Sequence, residues 1–146
     1  MFADLLRRLT TPEPGDFTEP DARLALAALM VRVARSDGHY AMAEISKIDR
    51  ILMHRHDLDA WGAEALRKEA EDLEAEAPDT VRFTRAVKDA VPLEERISVI
   101  EALWSVVLAD GERDAEEDGL LRLLANLLGI ADRDSALARQ RAEARL

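Results

Sequence analysis

An all-α fold, a single bundle of seven or eight helices with two pseudo-repeated helical units, follows from three features of the sequence. Apolar residues recur at three- and four-residue spacing almost throughout. β-branched residues never alternate with polar ones as they would in a strand, and the second half of the chain repeats the pattern of the first. The whole chain, 1–146, is read as one domain. Its core spans about residues 20–130, with a helix and loop over 1–16 before it and a helix over 131–146 after it.

The elements follow in order. Phe2, Leu5, Leu6 and Leu9 make a short amphipathic helix, which the spacing expects to dock on its own domain rather than on a membrane. Two prolines and a glycine in Thr11-Pro-Glu-Pro-Gly-Asp16 cannot continue it. From about Glu19 to Ser36 runs a helix apolar on most sides, hence central and buried, and Asp37-Gly38 ends it. A third helix, about Ala41 to Arg55, carries Ile45, Ile48, Ile51 and Leu52 on one stripe, with Lys47, Asp49 and Arg50 facing away. The charged stretch Asp59 to Ala77 has few large apolar residues and stops at Pro78. Asp79 then caps a helix containing Val81, Phe83 and Val87, and both helices are expected to be peripheral. Pro92 suits the first turn of a second central helix, which reaches Ala109 and is expected to bury Ile97, Ile100, Leu103, Trp104, Val107 and Leu108. Asp110-Gly111 closes it. Asp114 opens a leucine-rich helix ending at Gly129, and Asp132 to Leu146 forms a charged last helix expected to fray.

Composition narrows the function classes. With no cysteine, disulfides, thiolate catalysis and cysteine-held zinc or iron–sulfur sites are excluded, so any metal must be held by oxygen or histidine. Thirty acidic against twenty basic residues leave a net charge of −10, which repels nucleic acid and anionic membranes. No nucleic-acid partner is expected; cations and protein surfaces suit better. The N-terminus lacks a signal-peptide core, and Ile97 to Ala109 is too short and too polar to span a membrane. A cytoplasmic protein without direct membrane insertion is the expectation.

Sliding the chain against itself by 73 residues places Asp37 on Asp110, Gly38 on Gly111, Glu44 on Glu117 and Ile48 on Leu121. Upstream, Met30 falls on Leu103 and Val33 on Val106. Each half is therefore a buried helix, an Asp-Gly turn, a glutamate seven positions after the aspartate, and an amphipathic helix. Such duplication predicts a pseudo-twofold relation between the two acidic turns.

These residues carry a family resemblance. Ala34-Arg-Ser-Asp-Gly-His-Tyr-Ala-Met-Ala-Glu44 and Leu108-Ala-Asp-Gly-Glu-Arg-Asp-Ala-Glu-Glu117 resemble the paired Ala-Asp-Gly…Glu signatures of TerB-like tellurite-resistance proteins, over roughly residues 20 to 130. The resemblance implies an all-helical fold of two related units, shared with the N-terminal region of a membrane-anchored J-domain co-chaperone. It also implies an acidic metal site, links to tellurite resistance and stress response, and protein partners that include membrane-associated ones. Its residues map onto Asp37 and Glu44, then onto Asp110 and Glu117. Asp114 adds an acid to the second turn where the first has Ala41, so the first would bind a metal more weakly.

Two physical readings of these carboxylates stand. An aspartate at a helix C-terminus faces the negative end of the dipole, at a cost of about 0.3–1 kcal/mol. A divalent cation (Ca, Mg or Mn) would offset that cost, with Asp37, Glu44, Asp110, Asp114 and Glu117 as ligands. Alternatively, Asp114-Ala-Glu-Glu117 is a capping box needing no metal, whereas no capping residue stands three before Glu44. The chain would then be an acidic protein–protein interaction adaptor. An EF-hand does not fit, because the loop after Asp110 has its glycine second and no glutamate at the twelfth place.

Other chemistry has less to stand on. His39 adjoins the first turn, while His54 and His56 lie two apart at a helix end, on different faces. The five serines lack a nucleophile elbow and there is no glycine-rich phosphate loop, so no organic cofactor and no enzymatic role are expected. A metal-dependent hydrolase built on the acidic turns is the enzymatic alternative. Glu64, Lys68, Glu71 and Asp72 read as a solvated helix face. Trp104 belongs to the core pattern, and Trp61 is either a packed cap or an interface anchor.

Overall fold

A computed structural model describes residues 3, 5–7, 18–36, 38–77, 80–110 and 115–145. All regular structure in it is helical: α1 (Glu19–Arg35), α2 (Met42–His56), α3 (Ala60–Glu76), α4 (Thr80–Ala90), α5 (Leu93–Val107), a 3-10 turn (Leu108–Asp110), α6 (Ala115–Leu127) and α7 (Asp132–Ala144). Residues 5–7 are helical as well. No strand occurs among the described residues. The protein is all-α.

Helix α1 starts at Thr18, whose hydroxyl accepts from the Asp21 N–H while the Asp21 carboxylate accepts from the Thr18 N–H at 2.9 Å. This reciprocal cap leaves two fewer amides unsatisfied at the helix start. Beyond it, residues 24–31 are all buried, and α1 packs against α2, α3, α4, α5 and α6. The second apolar helix, α5, buries Val99, Ile100, Leu103, Trp104, Val106 and Val107 and bears α7 along its length. Both central helices stand where the apolar pattern puts them.

Three expectations are corrected. Helices α3 and α4 are not peripheral, since both lie along α1 and bury Ala63, Ala70, Leu73, Phe83, Ala86 and Val87. Small alanines let α3 approach closely despite its sparse large residues. Helix α7 is not a fraying tail either: Ser135, Ala138 and Ala142 face α5, and the Trp104 indole N–H donates to the Ser135 hydroxyl at 3.2 Å. Finally, α5 gives way to the 3-10 turn after Val107, short of Ala109.

Leu5 is fully buried in the common core and Leu6 packs on it, so this part of the N-terminal helix docks on its own domain. Phe2, Leu9, the following loop, Pro78 and Asp79 lie outside the described residues. Helix α6 ends as its glycine dictates. Gly129 sits at φ +75°, its N–H reaching the Asn126 carbonyl and the Ile130 N–H the Ala125 carbonyl, a Schellman motif.

Candidate functional site

The first acidic turn begins where α1 runs out of buried partners. Ser36 caps the helix, its hydroxyl donating to the Val33 carbonyl at 2.7 Å, and Gly38 takes the left-handed conformation, φ +84°, with its N–H on the Arg35 carbonyl. A side chain there would meet open space, so the glycine answers to backbone conformation alone. The chain runs extended through Ala41 into α2. Glu44 is the third residue of that helix, and its Oε1 accepts from the Ala41 N–H at 3.2 Å. Half of a capping box therefore forms here although Ala41 has no side-chain oxygen to reciprocate. The sequence reading, which looked for a capping residue three before Glu44, missed this contact.

Glu44 is 0% exposed and Glu117 is 1% exposed. Ala115 opens α6, so Glu117 occupies the third helical position as Glu44 does in α2. Both carboxylates face the positive end of a helix dipole, where a negative charge is favoured. The 3-10 turn ending at Asp110 packs against α2, the helix that starts with Glu44. Asp37 and Asp114 lie outside the described residues, and of Asp110 only the backbone is described. Among the described residues, no three His, Asp or Glu side chains cluster closely enough to hold a metal. His39 is exposed beside Gly38.

Around the first turn runs a chain of ion pairs that joins α1, α2 and α3. Glu74 of α3 accepts from Arg32 at 3.2 Å and from Arg35 at 2.8 Å, both on α1. Arg32 also donates to the Glu74 and Ala77 carbonyls and to the Thr80 hydroxyl, and covers the Phe83 ring. Arg35 lies over the ring of Tyr40, whose hydroxyl donates to Glu71 at 2.6 Å. Arg67 then bridges Glu71 at 2.9 Å and Asp49 at 2.6 Å.

Burial, with the bond to Glu71, pushes the Tyr40 hydroxyl well above its ordinary pKa. Burial works against the Arg67 charge, but its bonds to Asp49 and Glu71 outweigh that and raise its pKa. Two earlier placements are thereby corrected. Glu71 is not part of a solvated face, and Asp49 turns toward α3 rather than away. Glu64 and Lys68 do pair across one exposed turn at 2.8 Å. The Arg67/Glu71 spacing of four was a visible signal; Tyr40 and Asp49 are brought in only by the packing of α2 on α3.

Trp61 is 81% exposed, which removes the packed-cap reading, whereas Trp104 is 5% exposed in the core. No helix among the described residues is long and apolar enough to cross a membrane.

Comparison with known proteins places the chain in a family. No curated protein and no solved structure matches the chain significantly. The model of the family described as "Tellurite resistance protein TerB" matches residues 23–140, from the second turn of α1 into α7. With the match spanning most of its length, the chain belongs to the TerB family.

Proposed function

We propose that this chain is a non-enzymatic, cytoplasmic TerB-family module that holds a divalent cation, Ca, Mg or Mn, on its paired acidic turns. Through protein partners, membrane-associated ones included, it serves tellurite-resistance and stress responses. The observation that carries this reading is the burial of two carboxylates, Glu44 and Glu117, at the same helical position after two Asp-Gly turns. Taking a carboxylate out of water is costly unless positive charge or hydrogen bonds compensate it. The Ala41 amide compensates Glu44 in this way, and a hard cation suits an all-oxygen donor set of Asp37, Glu44, Asp110, Asp114 and Glu117.

A second reading has its own support. The Ala41 contact makes Glu44 a helix cap, and the exposed Trp61 is the kind of side chain that anchors an interface, as an acidic adaptor would require.

Calorimetric titration of chelator-treated protein with Ca²⁺, Mg²⁺ and Mn²⁺, beside an Asp110→Asn/Glu117→Gln variant of unchanged volume, separates the two. Saturable heat that the variant loses, with a melting temperature that climbs with ion concentration, is the expected result. No heat and no melting shift for any of the three ions would leave the turns as caps.

A further inference from the structure

One face of α2 opposes α5 across a cleft of about 550 Å³. Lys47, Arg50, Ile51 and His54 recur at spacings of three and four along α2, so they form one stripe. Ser98, Glu101, Ala102 and Ser105 do the same on α5, and the two stripes form the walls.

Charge in this cleft is unlike the rest of the molecule. Glu101 is its single acidic side chain among the described residues, and it is already engaged by Arg141 at 3.1 Å and Arg145 at 2.7 Å. Lys47, Arg50 and Arg55 make no ion pair with any described residue; Arg55 donates instead to the Ser98 hydroxyl at 2.8 Å. Arg55 also feels the Glu95 carboxylate, with which it lines the neighbouring cavity, but in a chain with ten more acidic than basic residues, Lys47 and Arg50 stand beside it at one concavity without an ion pair to any described residue. Like charges held together repel, and a multivalent anion between them would relieve that repulsion.

We propose that the α2–α5 cleft binds the phosphoryl group of a small phosphorylated molecule. Lys47, Arg50 and Arg55 supply the positive charge, and arginine offers the forked donor geometry that phosphate oxygens match. The Ser98 hydroxyl, which accepts from Arg55, keeps its own proton available to a phosphate oxygen. The volume is far larger than one phosphate needs and falls within the roughly 300–1,000 Å³ of small-molecule sites. Ile51 and Ala102 offer an apolar wall for the organic part. None of these residues belongs to the acidic turns, so this site stands or falls independently of the cation reading.

The test is calorimetric titration of chelator-treated protein, free of divalent ions, with ADP and with inorganic phosphate at low ionic strength. Saturable binding is expected, weakened at least about tenfold by Arg50→Glu or Lys47→Glu, which is the scale of one charge-assisted contact. Arg50 is exposed, so its variant should melt as the parent does. Lys68→Glu, an equal charge change on the exposed face of α3, should leave the affinity within about twofold, since a remote charge is screened. Binding of ADP alone identifies an organic phosphate, and equal binding of phosphate a free oxyanion; both support the site. The absence of saturable heat with either probe, or binding that both reversals leave intact, overturns it.

Discussion

His56, the last residue of α2, shows how a position decides what a side chain can do. It lines a second cavity of about 520 Å³ between α1, α2, α4 and α5, where Arg23 and Arg55 stand near it with Glu19 opposing them. Burial first, and then the two guanidinium groups, push its imidazole pKa down to about 4 from the ordinary 6.5. The unfolded chain therefore takes up this proton near pH 6.5, while the fold does so only near pH 4. The stability linked to His56 is complete above about pH 6.5 and is lost as pH falls from there toward about 4. The urea midpoint of the parent should accordingly fall relative to that of His56→Gln as pH drops through that window. A pH-independent difference would mean that His56 titrates as an ordinary surface histidine. Glu44 illustrates the same dependence on position: as the third residue of α2 it caps the Ala41 amide, and at most other positions a fully buried carboxylate would be destabilising.

Between helices, polar contacts as well as apolar ones set the packing. The seam from Arg32 through Glu74, Arg35, Tyr40, Glu71 and Arg67 to Asp49 ties α1, α2 and α3 together where α3 contributes mostly alanines. Arg67 sits at its end with 11% of its side chain exposed and two carboxylates in contact. Arg67→Ala should cost about 2 kcal/mol, because both carboxylates then keep their desolvation without a partner, a loss moderated by their partial exposure. Tyr40→Phe removes one hydrogen bond and should cost about 1 kcal/mol. Urea denaturation measures both, with Lys68→Ala on the exposed pair as the comparison expected to change little. Equal effects at Arg67 and Lys68 would refute the seam. The α6–α7 junction relies on similar help: Arg96 donates to the Val91 carbonyl at 3.0 Å and to the Leu128 carbonyl at 2.5 Å, satisfying a helix end beside Gly129.

At the scale of the whole molecule, one apolar cluster runs from Leu5 through α1 and α5 to Ala142, so no group of helices has a core of its own. Unfolding should therefore be a single transition. In a Trp61→Phe variant the remaining tryptophan, Trp104, reports on the α5–α7 contact, and its fluorescence should melt together with the far-ultraviolet helical signal. An earlier fluorescence transition would place α7 in a separate unit. Much of this architecture was legible beforehand. Helical periodicity, the prolines, the glycine stops and the two most apolar stretches give the helix class, the approximate ends of each helix and the identity of α1 and α5 as central, because those signals act within a few residues. The candidate carboxylates Glu44 and Glu117 were visible as a repeat at 73 residues. Their burial was not, nor were the ion pairing of Glu71 and Asp49 with Arg67, the close approach of α3 and α4 to α1, and the cationic cleft. A charged side chain on a helix reads the same whether it faces water or another helix. Only the tertiary packing of α1, α2, α3 and α5 decides which charges are opposed by partners and which, like Lys47 and Arg50, are left facing an open cleft.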